Sequence, residues 1–270
     1  MKLTDILNEI ENSNPDMLQS NSGRRDMLKT WGTKLAKTIV PVAGLSMLSN
    51  KSSAKTTDVL SEAIVFAQSI SFMQAALYTQ GLSITGLIPD ADKTAFQKIL
   101  ADKKGHSGFW SYYLYATGNP VPTPPAYDFT AKGALPKAFT DYGTFLTIAQ
   151  AMEDVGVRMY LTAINELVTN KEFRSNAVNM ATTNARHAAH VRFLRRNMGI
   201  DMMPWIAGTQ ANSIVGEIIK AYQEEDVIMQ LNNNVVGING FDVSFNTATE
   251  AFDEPIQRLL AEAFMKPYIA

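Results

Sequence analysis

Four stretches of the chain repeat apolar residues every three or four positions, the spacing that lines them along one face of an α-helix. The first face reads Leu60, Ile64, Ala67, Ser71, Gln74, Tyr78. The second reads Phe96, Ile99, Lys103, His106, Trp110. The third reads Leu146, Ala149, Glu153, Gly156, Tyr160, and the fourth Met180, Asn184, His187, Val191, Leu194. Each stripe is interrupted near its middle by polar residues. One such interruption per helix at mid-length is the pattern of a site enclosed by a four-helix bundle.

Breaker residues set the element ends. The first helix is expected over 57–80, stopped by Gly81, with a loop over 83–89. The second runs over 90–117. Gly118, Pro120, Pro122, Pro124 and Pro125 then keep residues 118–136 extended. A connection of this length is the crossover needed when the second and third helices run parallel. The third helix is expected over 141–170 and the fourth over 171–199, antiparallel across a short turn. Beyond Gly199 the pattern weakens to a helix over 213–231, a loop over 232–247 and a short helix within 250–264 that carries Pro255 in its first turn. The fold class is therefore all-α: a four-helix bundle over 55–200 with a helical and irregular C-terminal extension, 201–270, packed on it.

Composition narrows the chemistry. The 270 residues are 46% hydrophobic, enough for one substantial core. A formal net charge of −2 argues against charge-driven nucleic-acid binding. The absence of cysteine excludes disulfides, thiolate zinc sites, iron–sulfur clusters and thiol nucleophiles. A histidine-dependent site must use His106, His187 or His190. No phosphate loop and no Gly-x-Ser-x-Gly elbow is present. His190 is expected at the bundle rim, and Tyr78, Tyr113 and Tyr160 as core aromatics. Asp154 and Arg158 read as an exposed helix pair, and the run 222–226 as a solvated face.

The N-terminus reads as an address. Gly23-Arg24-Arg25-Asp26-Met27-Leu28-Lys29 matches the twin-arginine export pattern. A weakly apolar stretch over 31–48 follows, then Ser52-Ser53-Ala54, small residues suited to cleavage after Ala54. Residues 1–54 are thus expected to be a removed signal peptide. The remaining chain has 17 basic and 21 acidic residues, a net charge of −4. It is expected in the periplasm or otherwise exported, with no later apolar run long enough to span a membrane.

These residues resemble those of a known family, the exported ferritin-like proteins related to desiccation-associated proteins, over residues 59–194 and again at Ala251-Phe252-Asp253-Glu254-Pro255. Where that family carries Leu-Glu-x-x-Glu-Ala-x-x-Tyr, this chain has Ile70-Ser71-Phe72-Met73-Gln74-Ala75-Ala76-Leu77-Tyr78. Where it carries Glu-x-x-His, the chain has Lys103-Lys104-Gly105-His106. Glu153-Asp154-Val155-Gly156-Val157-Arg158-Met159-Tyr160 matches the family pattern Glu-Asp-x-Gly-x-x-x-Tyr. Asn184-Ala185-Arg186-His187 stands where the family has Glu-x-Arg-His. The resemblance implies a ferritin-like bundle and maps its two-metal ligand layer onto Ser71, Lys103, His106, Glu153, Asn184 and His187.

Of those positions only His106, Glu153 and His187 keep a metal-ligand type. One glutamate cannot balance two divalent cations in a buried layer. An economical arrangement pairs Lys103 with Glu153 and leaves Gln74 and Asn184 to complete the hydrogen bonding. The leading expectation is an exported ferritin-like protein without cofactor and without catalysis. It would act as a structural or binding partner of a metal-competent ferritin-like relative or of itself. The alternative is a mononuclear Fe, Mn or Zn site on His106, Glu153 and His187, serving a metal-dependent oxidoreductase or metal-handling protein.

Overall fold

The computed structural model describes residues 59–167, 170–206, 208 and 216–270. The twin-arginine pair Arg24 and Arg25 and the expected cleavage at Ala54 lie outside the described residues. Four long helices, α1 (Val59–Ser83), α2 (Asp90–Ala116), α3 (Tyr142–Glu166) and α4 (Lys171–Asn197), form the bundle. The architecture is all-α and ferritin-like, with a C-terminal extension.

Local chemistry sets the helix ends. The Asp141 carboxylate caps α3 by accepting from Thr144 N at 2.7 Å, and the Asn170 side chain caps α4 by accepting from Phe173 N at 2.9 Å. Helix α1 does not stop at Gly81 but continues to Ser83. A Cβ on Gly81 would lie 2.5 Å from the Phe145 ring, so this glycine permits close packing of α1 on α3 rather than ending the helix. By length and composition alone α1 is also apolar enough to cross a membrane, which corrects the expectation that no such run follows the export segment. Its apolar face is spent on the bundle: Ile64, Ala67, Ile70, Met73 and Leu77 are buried.

Helices α2 and α3 run parallel on opposite corners of the bundle. Phe96, Lys103 and Trp110 of α2 meet Phe145, Glu153 and Tyr160 of α3 in the same order. Residues 117–141 make the crossover between them. That crossover is tied down by the C-terminal segment, where Asp128 N donates to Tyr268 O at 2.8 Å and Ala270 N donates to Ala126 O at 3.0 Å.

The extension departs from its expected form. Its described part holds a 3-10 turn, Gly216–Tyr222, and a two-residue hairpin of β1 (Met229–Gln230) with β2 (Asn233–Asn234). Two short helices follow, α5 (Phe245–Glu250) and α6 (Arg258–Met265). The helix expected over 213–231 is interrupted where Glu224 and Leu231 take left-handed backbone at φ 65° and 49°. Pro255 precedes α6 instead of starting it. The extension covers the outer face of α3, so every residue from Ile148 to Tyr160 is buried. A helix shielded on all sides buries its polar residues too, and this shapes the chemistry of the core.

Candidate functional site

Two apolar clusters fill the bundle. One gathers Ile70, Leu77, Phe96, Phe145 and Val191. The other gathers Ile64, Ala67, Trp110, Phe173 and Ala177. Between them lies a polar layer to which each helix contributes one side chain: Gln74 from α1, Lys103 from α2, Glu153 from α3 and Asn184 from α4, all with no solvent exposure.

Two diagonals cross in this layer. Lys103 Nζ donates to Glu153 Oε2 from α2 to α3, and Gln74 Nε2 donates to Asn184 Oδ1 at 2.9 Å from α1 to α4. The diagonals are joined, since Lys103 Nζ also donates to Asn184 Oδ1, at 2.5 Å. Gln74 Nε2 has a second acceptor in Met152 O at 2.8 Å, and Asn184 Nδ2 donates to Met180 O at 2.7 Å. These partners fix which amide atom is oxygen and which nitrogen. Gly156 makes the crossing possible: a Cβ there would lie 2.5 Å from Asn184 Oδ1 and 2.6 Å from Gln74 Nε2.

The charges are set by this enclosure. Burial pushes the Lys103 ammonium below its ordinary value, and the Glu153 charge opposes that shift. Burial alone would raise Glu153, but Lys103 and His187 outweigh it and hold the carboxyl below its usual range. Tyr78 donates to Glu153 Oε1 at 2.7 Å, and its hydroxyl is held well above its usual value by burial and by that carboxylate. Glu153 is thus an ionised acceptor ringed by donors.

The remaining candidate positions sit around the layer. Ser71 lies one turn away from Gln74 along α1, where its hydroxyl meets Tyr160 Oη at 3.1 Å; Trp110 Nε1 donates to the same Tyr160 oxygen at 3.2 Å. His187 Nδ1 lies 3.4 Å from Glu153 Oε2, and its Nε2 lies 3.2 Å from Asp102 Oδ2. His106 packs edge-on to Tyr160 with ring centroids 6.4 Å apart. Burial, with Lys103 and His187 adding to it, pushes His106 down to about 3, so it is a neutral imidazole. His190 stands edge-on to Phe96 at 6.4 Å between centroids.

A second buried polar cluster escaped the sequence reading. Asp154 and Arg158 are not an exposed pair: they are 2% and 0% exposed and face different partners. Asp154 accepts from Arg192 Nη1 at 2.7 Å and from Tyr222 Oη at 2.7 Å, while Tyr222 also accepts from Gln150 at 3.0 Å. Arg158 lies against the buried Glu225 carboxylate and donates to the carbonyls of Ala221, Gln223 and Glu254 at 2.6, 2.8 and 2.9 Å. The run 222–226 is therefore not wholly a solvated face, because Tyr222 and Glu225 point inward to these arginines. The available signal was the length of the apolar run around Asp154, too continuous for a helix with one wet side. Asp102 was also missed; it sits beside Lys103 in sequence but on the rim, where it meets His187.

A four-helix bundle whose long second connection sets α2 and α3 parallel, with a polar layer at mid-height, defines the ferritin-like class. The family model for the ferritin-like domain matches residues 59–197, more than half of the chain, and the chain belongs to that family. No match was found among curated proteins. A two-metal centre of the ferritin-like kind draws a glutamate from each of two helices and a Glu-x-x-His pair from each of the other two. The residues present here do not fit it: an ammonium occupies the middle of the layer, and its one central carboxylate, Glu153, is engaged by Lys103 and Tyr78. Among the described residues no group of three or more His, Asp or Glu side chains is placed to hold a metal ion.

Proposed function

We propose that this protein is an exported, metal-free member of the ferritin-like family that acts as a structural or binding partner rather than as an enzyme. The observation that carries the reading is the buried Lys103–Glu153 pair. Its ammonium supplies, at the centre of the layer, the positive charge that metals supply in a metal-loaded bundle. Folding then needs no metal, and the bundle keeps its shape while giving up its redox chemistry.

The partner is a metal-competent ferritin-like relative or a second copy of this chain. Support comes from the export motif Arg24-Arg25, because the twin-arginine route carries proteins already folded. Phe193, Met198, Met203 and Trp205, each about half-exposed and close in sequence at the end of α4, offer apolar surface for a partner to cover. The test is affinity capture of the tagged protein from the periplasm of its own host, beside an Arg24→Lys, Arg25→Lys variant. The reading expects a ferritin-like protein, relative or self, to be recovered with the wild type, and the variant to be retained inside the cell. A monomer that captures no ferritin-like chain contradicts the partner role, and unchanged export of the variant contradicts the route.

A further inference from the structure

We propose that Lys103 and Asn184 join in an intramolecular isopeptide bond, with Glu153 carrying the proton and Gln74 holding the developing oxyanion. The inference rests on the reading of this layer as metal-free and goes beyond it, turning an ion pair into a covalent strap between α2 and α4.

The four groups required are all in place. The nucleophile is Lys103 Nζ, held 2.5 Å from Asn184 Oδ1 and so beside the amide carbon to which that oxygen is bonded. Glu153 Oε2 is on the same nitrogen and can take its proton. Gln74 Nε2 donates to Asn184 Oδ1 at 2.9 Å, the atom on which negative charge develops when the carbon is attacked. Gln74 is itself locked by Met152 O, and the Asn184 amide is locked by its donation to Met180 O, so oxyanion donor and electrophile are held without rotation. Gly156 leaves the space in which the two amides approach. All four reacting and assisting side chains are fully buried, so bulk water does not compete for the amide carbon. Lys103 is also the one lysine buried in this way among the described residues.

The step balances without any further reactant. Glu153 takes a proton from the Lys103 ammonium, and the freed lone pair on Nζ attacks Asn184 Cγ. The carbonyl electrons move onto Oδ1 against the Gln74 N–H. Glu153 passes its proton to Nδ2 and receives the second proton leaving Nζ. The oxyanion then collapses, the Cγ–Nδ2 bond breaks, and one ammonia departs. The products are a secondary amide between Lys103 and Asn184, a protonated Glu153 and ammonia. Nothing is oxidised or reduced, and the buried ion pair is replaced by neutral groups, which relieves the cost of keeping two charges out of water.

Intact-mass measurement on the purified full-length native chain tests this directly, followed by tandem mass spectrometry of a protease digest. The expected result is a mass one ammonia below that calculated for the purified form, whether or not residues 1–54 have been removed, with a branched peptide joining Lys103 to Asn184. Asn184→Asp is expected to lose one water instead, and Glu153→Gln, checked for helix content by circular dichroism, to return to full mass. The native-chain result stands even if a variant fails to fold. Full mass with unlinked Lys103 and Asn184 peptides overturns the proposal, as does a mass deficit that maps elsewhere. Metal analysis of the same sample separates the two readings. Full mass without metal removes the cross-link alone, whereas full mass with stoichiometric metal in the layer removes the metal-free reading as well.

Discussion

Glu153→Ala is expected to lower the folding free energy by at least about 3–5 kcal/mol, the range found when one partner of a buried ion pair is deleted, because the variant also cannot form the Lys103–Asn184 link. The size follows from what is left behind. Lys103 has no solvent exposure, and without the carboxylate its ammonium keeps, among the described residues, only the Asn184 carbonyl oxygen as an acceptor. Tyr78 loses its acceptor at the same time. The loss arises more from stranding a charge than from losing attraction, so adding Lys103→Met to Glu153→Ala is expected to recover stability relative to the single variant. Urea denaturation of the two variants beside the wild type checks both statements. A Glu153→Ala cost below about 1 kcal/mol, the value of an exposed pair, is incompatible with a closed polar layer.

The second large effect is on acid stability and belongs to His106. Its folded-state value of about 3 lies below the ordinary histidine value of about 6.5 that the unfolded chain shows. Between those limits the unfolded chain binds a proton that the folded chain refuses, so stability falls as pH falls from about 6.5 towards about 3. The slope approaches 1.4 kcal/mol per pH unit, roughly. Other groups titrate alongside. His190, also lowered by burial, acts in the same direction. Glu225, which burial pushes up to about 8, acts with the opposite sign between about 4.5 and 8. The readout is therefore the difference between wild type and His106→Leu across pH. The wild type is expected to lose ground to the variant steadily below pH about 6.5. A difference that stays constant with pH would mean that His106 is solvated in the folded protein.

The bundle was legible because its information is local. Stripes at helical spacing, capping residues such as Asp141 and Asn170, and the proline-rich stretch after Gly118 each speak for themselves within a turn or two of chain. The parallel course of α2 and α3 followed from the length of their connection alone. The pairing of Lys103 with Glu153 was legible for another reason: with one carboxylate left in the layer, charge balance allowed few arrangements. Gly81 was misjudged because glycine signals both a helix stop and a close approach, and only the position of the Phe145 ring separates the two. Asp154 and Arg158, four apart, carry the pattern of a surface pair. Their burial depends on the extension that covers the outer face of α3, and that extension has little periodicity of its own. It is held by backbone carbonyls bonded to Arg158, and no sequence pattern marks which carbonyls an arginine will find. Ser71 was placed in the layer by the family resemblance, yet Gln74 one turn later is the residue long enough to reach Asn184.

Metal content is the most direct measurement of the central claim that Lys103 has taken the place of metal in this ferritin-like bundle. The full-length protein, purified without chelators, would be challenged anaerobically with Fe(II), Mn(II) or Zn(II), freed of unbound ion and analysed by mass spectrometry of the elements. The account predicts a stoichiometry near zero for all three. One metal per chain, lost on Glu153→Ala, would contradict it in favour of a mononuclear site around His106, Glu153 and His187, and two per chain would restore the two-metal centre that the charge balance of the layer argues against.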